Sequence, residues 1–299
     1  MTVIAQIPYK DGILVVADSR ITIEPKEYSS ADDFESKVTY SDGQSKITKS
    51  KDGMVVTADG GDVLIDCELV SVIIGKSSGL EGINAGNRQG LDEVNAELDN
   101  VMAAINGSKT FGGKHGIVLA TVKCTDGSIR SLISKMRTTS DAGTQGNASA
   151  RLVDMKLESP AGYAAGPDIM AQDLLKYFVN MNCPDASKRT MEDAMAAAIM
   201  LENYYINQPT YENTKYGKAK ISTVGGPITM TAVQKDKDLD VVMGKTEMSI
   251  MEGKDFKEVK EFIVKKLGWD REVEEFRKMK AAGALEANSE SPEHQKSKN

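Results

Sequence analysis

A chain of 299 residues that is 40% hydrophobic and 27% charged has the make-up of a soluble globular protein, long enough to bury a sizeable core. A net charge of −7 argues against a nucleic-acid surface, because phosphate binding needs clustered positive charge. Only two histidines are present, and His294 sits in a polar tail, so a histidine-based triad or a His-rich metal site is not expected.

Cys67, Cys124 and Cys183 are scattered with no CxxC spacing and read as reduced thiols rather than a disulfide frame. The opening residues lack a charged stretch followed by an apolar one, and no apolar run approaches eighteen residues. A cytoplasmic location with no membrane contact is therefore expected.

The first elements alternate short apolar runs with Asp-Gly turns. Val3 to Ile7 is followed by Asp11-Gly12 and then Ile13 to Ala17. The pattern recurs at Asp52-Gly53 before Met54 to Val56, and at Asp126-Gly127 between Ile117 to Val122 and Ile129 to Ile133. Asp-Gly suits tight hairpins because it supplies positive φ. Runs that are apolar throughout predict strands covered on both faces.

Helical spacing begins after Gly61-Asp62 and continues through Val63 to Val72, then again over Leu91 to Ile105. Two further helices are predicted over Asp168 to Val179 and Met191 to Tyr205, the second capped by Thr190. Strands over Ala219 to Val224, Ile228 to Val233 and Val241 to Met243 follow. Glu24 to Glu35 and Arg137 to Ser159 read as loops. Beyond Lys245 an amphipathic helix is predicted from Phe256, interrupted at Gly268, and Ala287 to Asn299 reads as a disordered tail. Strands and helices segregate along the chain, which favours an α+β fold of two antiparallel sheets with a helix layer on each outer face.

The second residue, Thr2, carries the chemical interest. Met1 is expected to be excised because threonine is small, and the mature chain would then bear a hydroxyl and a free α-amino group on one residue. Such a pair is a nucleophile with its own base. Downstream stand Asp18-Ser19-Arg20, Lys46 and Thr57-Ala58-Asp59-Gly60-Gly61.

Together these residues resemble the proteasome β-subunit family of N-terminal-nucleophile (Ntn) hydrolases, of which the chain is expected to be a divergent member. The family has an aspartate in a D-x-R sixteen residues after its threonine, and an A-x-G-G turn fourteen residues after a lysine. Here Thr2 to Asp18 is sixteen residues and Lys46 to Gly60 is fourteen. The resemblance implies a four-layer αββα sandwich over 1–245, with a C-terminal helical extension over 246–286 and the tail at 287–299.

It also implies roles. Thr2 would be the nucleophile, Lys46 a cation beside it, Asp18 the acid that holds the lysine, and the Gly60 N–H an oxyanion donor. Arg20, Ile21, Ala58, Asp62 and Asp66 would border the substrate pocket, where Asp66 with small Ala58 would suit a basic side chain. No cofactor or metal is implied. A peptide or protein is the implied substrate, while assembly of copies and an ATPase partner are open by analogy.

The plainer readings are a surface ion pair for Asp18 and Arg20, a solvated lysine, a strand-to-helix turn at Gly60-Gly61, and helix-dipole acids at Asp62 and Asp66. Departures from the family pattern matter too. Tyr163-Ala164-Ala165-Gly166 replaces the family's G-S-G, and Ile221 and Val224 replace the aspartate and serine of D-x-x-S-G-G. Ser222 or Thr223 would substitute only after a one-residue shift. The expected function is an N-terminal threonine hydrolase of peptide or amide bonds. The alternatives are an acyl transferase or peptide ligase on the same scaffold, or a non-catalytic assembly subunit.

Overall fold

The computed structural model describes residues 2–84, 87–106, 115–138, 148–155, 160–168, 170–208 and 210–281. The expected tail at 287–299 lies outside them. Strand β1 (Ile4–Tyr9) turns into β2 (Gly12–Asp18), pairing Ile4 with Ala17 and Tyr9 with Gly12. At this turn Gly12 is required for space, because a side chain there would run into the Val233 carbonyl. At Gly53 and Gly127 the reason is conformational, with φ of 71° and 80°.

Next, β3 (Ile21–Ile23) pairs with β4 (Thr39–Ser41), and the segment between them contains α1 (Ala31–Lys37). The expected polar loop from Glu24 therefore carries a helix. Its start is fixed by Ser30, whose side chain accepts from the Asp33 N–H. Hairpin β5 (Ile47–Lys49) and β6 (Val55–Asp59) follows, then α2 (Val63–Gly75), α3 (Ser77–Leu80) and α4 (Gln89–Asn106).

Strand β7 (Ile117–Lys123) turns at Gly127 into β8 (Ile129–Thr138), which pairs with β9 (Ala148–Asp154). The expectation of a loop from Arg137 to Ser159 is thus corrected over 148–154. Polar, weakly patterned residues there take strand geometry because β8 offers an edge and α4 covers one face. The chain continues through β10 (Tyr163–Ala165), α5 (Ala171–Asn182) and α6 (Met191–Asn207). Thr190 and Asp193 form a reciprocal cap at the start of α6.

Hairpin β11 (Thr210–Thr214) and β12 (Gly217–Ile221) precedes β13 (Ile228–Gln234) and β14 (Leu239–Met243). Helices α7 (Lys245–Ile250) and α8 (Phe256–Ala281) close the described chain. The expected break at Gly268 is absent, since one glycine in a long helix costs only about 1 kcal/mol.

The result is a mixed α+β molecule with antiparallel sheets. One five-stranded sheet has the order β10-β1-β2-β13-β14 and another the order β5-β6-β7-β8-β9. Between them Ile4, Val15, Ala17 and Val233 meet Val56, Ala58, Leu119 and Ile133 in one apolar cluster. The other face of the first sheet packs with α5, α6 and α8 through Val3, Leu14, Val16, Leu175, Ile199 and Ile263, among others.

The other face of the second sheet packs with α2, α3 and α4. Burial on both faces is why β1 and β2 are apolar without alternation. One polar staple crosses the interior: Gln6 on β1 donates to Thr121 Oγ1 at 2.7 Å and accepts from Ser131.

Candidate functional site

Alternation places Thr2. Val3 packs in the cluster shared with α6, so its neighbour Thr2 is turned the other way, where it lies almost fully buried at the wall of a cleft. Lys46 stands just before β5, close to the end of β2. Its Nζ donates to Thr2 Oγ1, to Asp18 Oδ1 at 3.2 Å and to the Arg20 carbonyl at 2.5 Å. An ammonium has three N–H groups and no acceptor, so Lys46 is fully committed.

The Asp18 carboxylate also accepts from the N–H groups of Val3 (3.3 Å), Arg20 (3.2 Å) and Gly225 (3.1 Å). Burial pushes its pKa up, while Lys46 and those backbone donors from Gly225 and Arg20 oppose the rise. The three residues spaced along the sequence thus meet in one buried hydrogen-bonded group.

Arg20 belongs to the support of this group. Its guanidinium grips Asp42 through Nε (2.8 Å) and Nη2 (3.1 Å), donates to Ser222 Oγ at 2.7 Å and lies over the Tyr40 ring. The bond to Arg20 holds the Asp42 carboxyl down at about 2.

The turn after β6 departs from expectation at Gly60. Its N–H donates to the Ile117 carbonyl at 3.0 Å, continuing the ladder to β7. Neighbouring donors are engaged as well: Asp59 N–H to Lys46 O at 3.1 Å, Gly61 N–H to Asp66 Oδ2, and Asp62 N–H to His115 O at 2.9 Å. The oxyanion role expected of Gly60 is corrected, because its donor is already spent.

The cleft beside Thr2 has a volume of about 880 Å³. Ile21, Asp62 and Gly60 line it as expected from the sequence, and so does part of Arg20. Ala58 and Asp66 do not. Ala58 is fully buried between the sheets, on the strand face opposite to Thr57 and Asp59. Asp66 is buried behind the turn, where it accepts from Gly61 and from Ile117 N–H at 3.0 Å. Burial pushes its carboxyl up to about 8 against the pull of those donors. It ties the turn down and offers nothing to a ligand.

Asp59 was not singled out in the sequence, yet its side chain lines the cleft and burial pushes it up to about 6, with Lys46 opposing. Strand alternation was the available signal: in β6 Val56 and Ala58 share the inter-sheet face, so Asp59 takes the other. Glu24 and Glu212 add two more carboxylates to the cleft wall. Cys67 is a second nucleophilic side chain there, but burial and the charges of Asp59, Asp66 and Glu68 push its thiol up, away from thiolate.

The hydroxyls considered as substitutes beside the amine are otherwise engaged. Ser222 accepts from Arg20, and Thr223 shares a hydrogen bond with Thr210 at 3.1 Å, although Thr223 reaches the cleft wall. Among the described residues no group of three His, Cys, Asp or Glu side chains is placed to hold a metal ion, and no helix is long and apolar enough to cross a membrane.

No family model matches the chain, and no curated protein matches it. Among solved structures it is similar to Anbu (ancestral beta-subunit) from Yersinia bercovieri, at 12% identity and a TM-score of 0.52, covering 92% of this chain and 95% of that one. It is also similar to the Gly-1 mutant of Anbu from Hyphomicrobium sp. strain MC1, at 11% identity and a TM-score of 0.51, covering 91% and 97%. At such identities the likeness is one of fold. The expected membership in the proteasome β-subunit family is therefore corrected: no family model supports it, and the likeness found is to Anbu in fold alone.

Proposed function

We propose that the chain, once Met1 is removed, is an N-terminal threonine hydrolase that opens peptide or amide bonds through an acyl-enzyme. The contact of Lys46 Nζ with Thr2 Oγ1, backed by Asp18, carries this reading. Because Lys46 only donates, the Thr2 oxygen accepts from it and keeps its own proton for the neighbouring α-amine. An α-amine of ordinary pKa, about 8, is already a serviceable base near neutrality.

The oxygen then bonds to the substrate carbonyl carbon, and the amine passes the proton to the departing nitrogen as the C–N bond breaks. Water completes the cycle by the same proton route. With the turn donors occupied, the Lys46 charge is the main counterweight to the developing oxyanion.

A four-layer stacking of α5, α6 and α8, the two sheets, and α2 and α4 is supported by the three apolar clusters. The substrate class we favour carries a basic side chain. Glu24, Asp59, Asp62 and Glu212 line the cleft, while the cationic Arg20 and Lys46 are already matched by Asp42 and Asp18.

A second reading, acyl transfer to an amine, is favoured by one observation. Glu212, Ile221 and Thr223 reach the cleft wall from the β11–β12 hairpin and the segment after it, and extra chain at a cleft wall favours transfer where it excludes water.

Intact mass decides whether Met1 is lost. Incubation with peptide mixtures then separates cleavage from ligation products. Thr2→Ala is expected to lower turnover at least about a thousandfold while leaving the fold intact; undiminished turnover overturns the assignment.

A further inference from the structure

Glu202 stands out among the described residues. It lies on α6, is fully buried, and neither carboxyl oxygen has a hydrogen-bond partner. Buried acids are ordinarily paired, so an orphan acid in a well-packed helix points to a partner that arrives later.

Its position narrows what that partner is. Helix α6 packs on β1 and β2, the strands that begin beside Thr2 and end at Asp18. Ala198 and Tyr205, about one turn to either side of Glu202, share a cluster with Val3, the residue next to Thr2. Asp18 and Lys46 are the charged groups whose fields reach it. They are already bonded to one another, while Ser222 accepts from Arg20 and Thr223 shares a bond with Thr210.

We propose that Glu202 is a positioning residue that accepts a hydrogen bond from the α-amine created on Thr2 when Met1 is excised. Met1 excision turns the Thr2 amide N–H into an amine at this end of β1, and neither Glu202 oxygen has a hydrogen-bond partner. This inference rests on the proposed removal of Met1, but it does not need the chain to be a hydrolase.

An amine N–H directed at Glu202 leaves the nitrogen lone pair turned toward Thr2 Oγ. When the oxygen attacks, its proton moves to that nitrogen, and the ammonium so formed stays beside the carboxyl until the proton leaves with the substrate nitrogen. No proton is gained or lost over the cycle. Burial pushes the carboxyl well above its usual range, Asp18 adds to the rise and Lys46 opposes it, so a partner that favours the charged form has much to relieve.

The test compares two N-termini, one beginning at Thr2 after release from a cleavable fusion and one retaining a residue before it. Each is made with Glu202, Glu202→Gln and Glu202→Leu, and thermal midpoints are measured at pH 7. Release of the amine is expected to raise the midpoint of the Glu202 protein by several degrees, and this gain is expected to vanish in Glu202→Leu and to shrink in Glu202→Gln, which keeps a neutral amide oxygen as acceptor. Glu202→Leu is expected to exceed Glu202 in stability with the extended terminus and to fall below it with the free one.

Equal gains in all three proteins overturn the proposal, whether or not any of them turns over a substrate. If Glu202→Gln does not fold, the Glu202→Leu pair decides alone. Where turnover is present, Glu202→Gln is expected to lower kcat at least tenfold with KM unchanged. It is also expected to move the acid limb of the kcat profile to lower pH, because the amine loses the carboxylate charge that stabilises its protonated form.

Discussion

Asp62 and Asp66 are both acids at the start of α2, four residues apart, and the structure gives them different work. Asp62 is the helix cap, accepting from Leu64 N–H at 3.2 Å, and it borders the cleft. Asp66 is buried and holds the N–H groups of Gly61 and Ile117. Removing a cap costs about 1 kcal/mol, whereas stranding two buried donors costs about 2–4 kcal/mol. Asp66→Ala is therefore expected to lower unfolding free energy at pH 5 by about 3 kcal/mol, and Asp62→Ala by about 1 kcal/mol, in urea titrations. Equal losses would remove the structural role given to Asp66. The sequence marked both acids by their spacing but could not separate them, because helix phase alone does not reveal how deeply a turn is tucked under β7.

At the scale of elements, the two polar stretches that flank the cleft act as one unit. Helix α1 sits on β12 through Phe34, Val38, Ala219 and Ile221, and Tyr28 meets Phe34 edge-on at 4.8 Å. Tyr40 on β4 accepts from the Ser222 N–H at 3.1 Å, tying the same pieces together. This small cluster lies apart from the three larger ones, so its stability is local. Phe34→Ala is expected to cost about 3–4 kcal/mol there. Amide exchange is the measurement: protection should fall in α1, β11 and β12 and stay unchanged in β1 and β2. Loss of protection throughout the first sheet would show that the unit is not separate. Little in the sequence announces this arrangement, since α1 is short and acidic and its apolar partner lies 185 residues on, from Phe34 to Ala219.

For the molecule as a whole, buried carboxyls set the response to pH. Asp59 is pushed up to about 6 and Asp66 up to about 8, and Glu202 is raised as well. Each binds its proton more tightly folded than unfolded, where carboxyls titrate near 4. Their contribution is complete below about pH 4 and is lost as pH rises toward 8. Asp42, held down at about 2, acts in the opposite sense: its contribution is present above about pH 4 and lost as pH falls toward 2. Maximum stability is thus expected near pH 4–5, with the urea midpoint of the unprocessed chain higher at pH 5 than at pH 8. The reverse order would mean that these acids are ionised in the folded chain at neutral pH.

The coarse order of elements, the two-sided burial of β1 and β2 and the cap at Thr190 were legible in the sequence, and the resemblance to the proteasome β-subunit family singled out Thr2, Asp18 and Lys46. The first three follow from local chemistry, namely apolar runs, turn glycines and a cap hydroxyl, whereas the last rests on the family's spacings. Strand β9, the uninterrupted α8, the spent donor of Gly60, the inward turn of Ala58 and the orphaned Glu202 were settled by tertiary structure. For β9, Gly60 and Ala58 the deciding partner comes from a distant part of the chain, and only packing brings the two together. A residue's type states what it is able to bond, but its neighbours in space determine whether that capacity is already used.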